Sequence, residues 1–80
     1  MRGVLQLNAD YEKALGQNIR KIRLKRNLSQ EQVSAQLQVR GCDITRSALA
    51  KMEVGQRHIY PDELKAFKEI FSVSYDELFV

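Results

Sequence analysis

Apolar residues recur along this chain at helical spacing, in five separate stretches. Leu15, Ile19, Ile22 and Arg26 mark one face at i, i+4, i+7 and i+11, which predicts a first helix from about Asp10 to Arg26. Gly16 lies inside that helix and weakens it. Asn27 is a natural stop, because Asn tolerates the left-handed conformation that ends helices. A second helix begins at Ser29, an N-cap with Gln32 three residues on, the capping-box pattern. Val33 and Leu37 form its inner face, Leu28 is placed as a staple, and Gly41 ends it.

A third helix starts at Thr45 and ends near Val54, with Gly55 as its terminator. The fourth has Pro61 at its first position and Asp62 and Glu63 in its first turn, where the helix dipole favours negative charge. Leu64, Phe67, Ile70 and Phe71 supply its apolar face. Ser74 and Glu77 open a fifth helix carrying Leu78 and Phe79. No stretch alternates with the period of a strand. The pattern predicts an all-α domain, a compact five-helix bundle around one core. It spans residues 10–80, preceded by an N-terminal arm or extension over residues 1–9.

The third helix carries the most informative chemistry. Ala48, Leu49 and Met52 point toward the core, whereas Arg46, Ser47, Ala50, Lys51 and Val54 point away. Outward side chains that are short or flexible leave a slim face, and a major groove about 12 Å wide accepts such a helix. Arg46 has paired donors suited to guanine O6 and N7, and Lys51 reaches a guanine or a phosphate. Thr45 and Ser47 suit base edges or backbone, and Ala50 suits a thymine methyl. The alternative is a solvated face on an ordinary helical bundle.

Composition narrows the partner. A chain of 80 residues is one domain, and its net charge of +3 is compatible with a polyanion. The distribution says more: Arg20, Lys21, Arg23, Lys25 and Arg26 cluster, while Asp62, Glu63, Glu69, Asp76 and Glu77 lie later. The first two thirds is therefore the expected DNA-facing part. One cysteine and one histidine cannot build a Cys/His zinc site, and no nucleophilic or paired-carboxylate set is assembled. Neither an enzyme nor a metal or cofactor is expected. The single Cys42 excludes an internal disulfide and fits a reducing cytoplasm. No apolar run is long enough for a secretory signal or a membrane span. Cys42 and His58 read as loop side chains, and Tyr11, Tyr60 and Tyr75 as aromatics at the core edge.

Arg23 and Glu53 lie on the inner sides of the first and third helices. Opposite charges so placed are expected to pair, because an unpaired buried charge is very costly. The alternative is that Arg23 joins the basic cluster and meets DNA.

In order and spacing the chain resembles the phage Cro and repressor-type helix-turn-helix family, also called the XRE family. The resemblance rests on Arg20 to Arg26, Leu28-Ser29-Gln30-Glu31, Val33-Ser34, Thr45-Arg46-Ser47-Ala48-Leu49, Glu53-Val54-Gly55 and the ending Val73 to Phe79. It covers about residues 15–79. It implies a helix-turn-helix formed by helices 2 and 3, and the same Arg23–Glu53 pairing. It also implies that Gln30 binds a phosphate or clamps an operator-facing side chain. Thr45, Arg46, Ser47 and Lys51 match base-facing positions, and Arg57 matches a loop that meets the DNA backbone. Two departures stand out. Val39 to Ile44 make the connection longer than the roughly 3–4-residue turn usual between such helices. Ser34 replaces the family's usual Ala, a nearly isosteric change with little expected effect.

The function expected is a sequence-specific, double-stranded-DNA-binding transcriptional regulator of the repressor type, reading the major groove with helix 3. The alternative is a protein-interaction module of the same fold, an antitoxin or adaptor. One recognition helix reads little sequence, so a two-fold homodimer through the C-terminal helix is expected. Phe71, Val73, Leu78, Phe79 and Val80 are its candidate surface, unless they merely close the core. Neither a small-molecule effector domain nor a membrane partner is expected.

Overall fold

A computed structural model describes the backbone over residues 2–80 and the side chains from Asp10 onward. The expected arm or extension over residues 1–9 thus falls on Met1 and on side chains outside the described residues. Five helices follow one another: α1 (Arg2–Lys25), α2 (Gln30–Val39), α3 (Arg46–Glu53), α4 (Pro61–Phe71) and α5 (Tyr75–Leu78). The described residues contain no strand. Helix α1 begins at Arg2, well before the expected start at Asp10.

Local chemistry sets the helix ends. Asn27 adopts the left-handed conformation, φ 56°, just past α1. The Ser29 hydroxyl accepts from the Gln32 amide at 3.0 Å while the Gln32 side chain accepts from the Ser29 amide at 2.8 Å. This reciprocal pair satisfies two orphan donors at the start of α2. Thr45 caps α3 by accepting from the Ala48 amide at 3.1 Å. Ser74 and Glu77 repeat the reciprocal pattern at α5.

The core is built from Leu15, Ile19, Val33, Leu37, Ile44, Leu49, Met52, Phe67, Phe71 and Leu78, all buried. Phe67 and Phe71 stack with ring centres 5.8 Å apart. Leu64 and Ile70 pack at its edge. Polar side chains in α1 and just past its end then tie down other helix ends. Arg26 Nε donates to the Phe71 carbonyl at 2.9 Å, and Asn18 Nδ2 donates to the Leu78 and Glu77 carbonyls at 2.6 and 3.0 Å. A cation or donor at a helix C-terminus meets carbonyls that have no partner within the helix.

Two glycines let α3 lie directly against α1. A Cβ on Gly16 would stand 2.0 Å from the Met52 carbonyl oxygen. Gly55 ends α3 at φ +78°, and a Cβ there would stand 2.8 Å from Lys13 Cα. The glycine that weakens α1 as an isolated helix is thus the point where the third helix's backbone seats.

The connection from α2 to α3 is held from inside. Cys42 is only 9% exposed, a core residue rather than the loop thiol expected from sequence. Burial, with the Asp62 and Glu63 carboxylates adding to it, pushes the Cys42 thiol up from its ordinary pKa. Reaction needs the thiolate. At about pH 8 Cys42 should therefore react with a disulfide reagent far more slowly in the folded protein than in denaturant. Equal rates would contradict this placement.

Candidate nucleic-acid interface

Helix α3 divides cleanly into two sides. Leu49 and Met52 are completely buried, and Ala48 packs against the core from a half-buried position. Arg46, Ser47 and Lys51 are exposed on the other side, Ala50 is half-buried, and Val54 is exposed. Thr45 is also exposed, with its hydroxyl oxygen engaged as the N-cap acceptor. The outer side of α3 therefore offers two cations among small residues.

Its opposite end is fixed by a buried charged cluster. Arg23 Nε donates to Glu53 Oε2 at 2.7 Å and its terminal nitrogen to Oε1 at 3.0 Å, a two-pronged pairing. The remaining prong donates to the Leu28 carbonyl at 2.9 Å. Gln30 Nε2 adds a third bond to Glu53 Oε1 at 3.1 Å. One carboxylate on α3 thus collects a side chain from α1 and another from α2. Gln30 sits half-buried and clamped on Glu53. An open groove beside it is lined by Arg23, Ser29, Gln30, Glu31 and Arg46, so the start of α2 and the start of α3 border the same space. Glu31, which the sequence marks only as part of the Leu28-Ser29-Gln30-Glu31 motif and not as a site residue, brings a carboxylate into that space.

Arg57 belongs to a different arrangement. Its guanidinium donates to both Glu63 oxygens at 3.0 and 3.1 Å and to the His58 carbonyl at 2.9 Å. The hydrogen bond to Glu63 raises the Arg57 pKa against the opposing effect of burial. Glu63 is buried and also accepts from the Tyr60 amide at 2.9 Å. His58 pairs with Glu12, whose carboxylate also accepts from the Ile59 amide. The loop after α3 is thereby stapled to both α1 and α4. Arg57 is held by α4 and His58 by α1, rather than standing free beside the exposed side of α3.

The basic run of α1 is also dispersed. Arg23 goes to Glu53 and Arg26 to the end of α4. Lys21, Lys25 and Arg26 line a groove with Val73 and Glu77, on the α5 flank of α1. Gly16 and Arg23 face α3 on the other flank. Sequence clustering overstated how much of this charge shares one surface, because successive helix positions turn about 100°.

Ser34, expected from sequence to be a nearly isosteric replacement for Ala, makes a contact that Ala could not. Its buried hydroxyl donates to the Ile44 carbonyl at 2.6 Å. The described residues contain no cluster of potential metal ligands and no helix long and apolar enough to cross a membrane.

An all-helical domain whose second and third helices meet at a capped turn, with a small, cationic outer face on the third, defines the class of DNA-binding helix-turn-helix regulators. Residues 19–78 match the family model described as helix-turn-helix, and the chain belongs to that family, in its Cro/repressor (XRE) form. This family binds DNA in regulation and is generally non-enzymatic. No curated protein and no solved structure matches the chain.

Proposed function

We propose that this protein is a sequence-specific regulator of transcription, of the repressor type, that reads the major groove of double-stranded DNA with α3. The observation that carries this reading is the division of α3: Leu49 and Met52 are fully buried while Arg46, Ser47 and Lys51 stand exposed. Phosphate contacts position such a domain and base contacts specify the sequence. In this scheme Arg46 takes a guanine edge, and Ser47 and Lys51 take neighbouring bases or phosphate. Thr45 and Ala50 lie at the margins of that contact. Gln30, held at the start of α2 beside Arg46, offers the backbone the Nε2 proton that its bond to Glu53 leaves free, together with the amides of the α2 N-terminus. Arg57 presents to the backbone only what its pairing with Glu63 leaves exposed.

The test is the salt dependence of binding to a duplex. Neutralising about four phosphates per monomer gives a log–log slope near −3.6. A slope near zero would reject DNA binding and favour the antitoxin or adaptor role.

A homodimer through the C-terminus is part of the proposal, on a smaller surface than the sequence suggests. Phe71, Val73 and Leu78 are buried in the domain's own core, which corrects their candidacy as interface residues. Tyr75, Phe79 and Val80 remain exposed, with the Tyr75 and Phe79 rings stacked at 6.1 Å. Pairing there would set two recognition helices on half-sites about 34 Å apart. Phe79→Glu should then shift the protein to monomer in sedimentation while leaving its fold intact. An unchanged sedimentation coefficient would reject this interface.

A further inference from the structure

We infer that Ser34 is a positioning residue for the recognition helix, and that its hydroxyl sets how sharply the protein distinguishes one DNA sequence from another. The inference rests on the major-groove reading above and names a residue that touches no DNA, since Ser34 is 6% exposed. The connection from Arg40 to Thr45 is long for a helix-turn-helix, and a longer linker constrains the next helix less. Here it is folded back onto α2. The Cys42 amide donates to the Leu37 carbonyl at 2.9 Å, and the Ile44 amide to the Cys42 carbonyl at 2.8 Å.

The last tie is the Ser34 hydroxyl on the Ile44 carbonyl, at 2.6 Å. Gln38 Nε2 supports the same hydroxyl oxygen at 3.4 Å. The Ile44 carbonyl belongs to the peptide unit that leads into Thr45, the N-cap of α3. The middle of α2 therefore grips the entry to the recognition helix, as the Glu53 cluster grips its exit. Alanine at position 34 would leave the Ile44 carbonyl buried without its partner, a costly state that rotation of the peptide toward water relieves. That rotation carries Thr45 and Arg46 with it. Base-edge hydrogen bonds depend on close placement of the helix, whereas phosphate contacts carry no sequence information.

The experiment compares the native protein, Ser34→Ala and Val73→Ala. Val73→Ala trims a buried side chain at the α4–α5 junction and controls for lost stability alone. Affinity is measured for the duplex that the native protein enriches from a random pool, and for its shuffled sequence. Ser34→Ala should lower the ratio of the two affinities about tenfold. It should leave the shuffled-duplex affinity and its salt slope unchanged, and Val73→Ala should keep the native ratio. In the native protein alone, the Ser34 hydroxyl proton should be protected from solvent exchange. A freely exchanging hydroxyl, an undiminished ratio for Ser34→Ala, or an equal fall for Val73→Ala overturns the inference while DNA binding stands. A native protein that enriches no duplex overturns the major-groove reading and this inference together.

Discussion

Replacing Gly16 with alanine should destabilise the domain by about 3 kcal/mol, the upper part of the usual range for overpacking. The added methyl would stand 2.0 Å from the Met52 carbonyl oxygen, and 3.1 and 3.2 Å from the Met52 and Glu53 carbonyl carbons. All three neighbours are backbone, so no side chain can swing aside. Relief requires α3 to lift off α1, which also disturbs the seat of Gly55 against Lys13. Helix propensity alone predicts the opposite sign, a gain of roughly 1 kcal/mol for alanine over glycine. A domain of 80 residues has about 4–12 kcal/mol of stability in total, so the loss should be plain in thermal unfolding. The midpoint should fall by on the order of 15 °C. A variant that melts at or above the native temperature would contradict the close approach of the two helices.

Glu53→Ala should cost still more, about 3–5 kcal/mol, as removal of one partner from a buried ion pair does. The side chains of Arg23 and Glu53 are 8% and 1% exposed, so the stranded guanidinium could not readily recover its hydration. Gln30 would lose its partner as well. The cost measures a broken cluster rather than the net worth of the pair. Replacing both partners with apolar residues, as in Arg23→Met with Glu53→Leu, should therefore recover much of the loss. Denaturant midpoints of Glu53→Ala and of the double variant separate these cases. Native-like stability for Glu53→Ala would mean that Arg23 does not depend on this carboxylate, and would free it for the DNA-facing role considered from sequence.

Much of the architecture is legible in the sequence because its signals are local. Ser29 with Gln32, Thr45, Pro61 and Ser74 with Glu77 mark helix starts by chemistry that acts within one turn. The spacing of Leu49 and Met52 against Arg46 and Lys51 likewise gives the two sides of α3 directly. What escapes is long-range. Gly16 reads as a flaw until Met52 is seen above it. Asn18 and Arg26 cap helices far away in sequence, which periodicity cannot reveal. Ser34 looks like a mild replacement for alanine because its acceptor, the Ile44 carbonyl, is a backbone atom brought near only by the folded connection. The extended start of α1 lacks an N-terminal signal in the sequence: its first turn holds no acidic residue. The set proposed to face DNA is legible as a helix face, but the partners that orient Gln30 and Arg57 are not.

Base reading by the exposed side of α3 is tested by selecting bound duplexes from a random pool, in parallel for the native protein and Arg46→Ala. The native protein should enrich a defined sequence containing a guanine that Arg46→Ala no longer requires. Relaxation there should correspond to about 1–3 kcal/mol of lost discrimination, with other positions retained. Enrichment of the same sequence to the same degree by both proteins, or of none by the native one, would contradict the assignment of the exposed side of α3 to base reading.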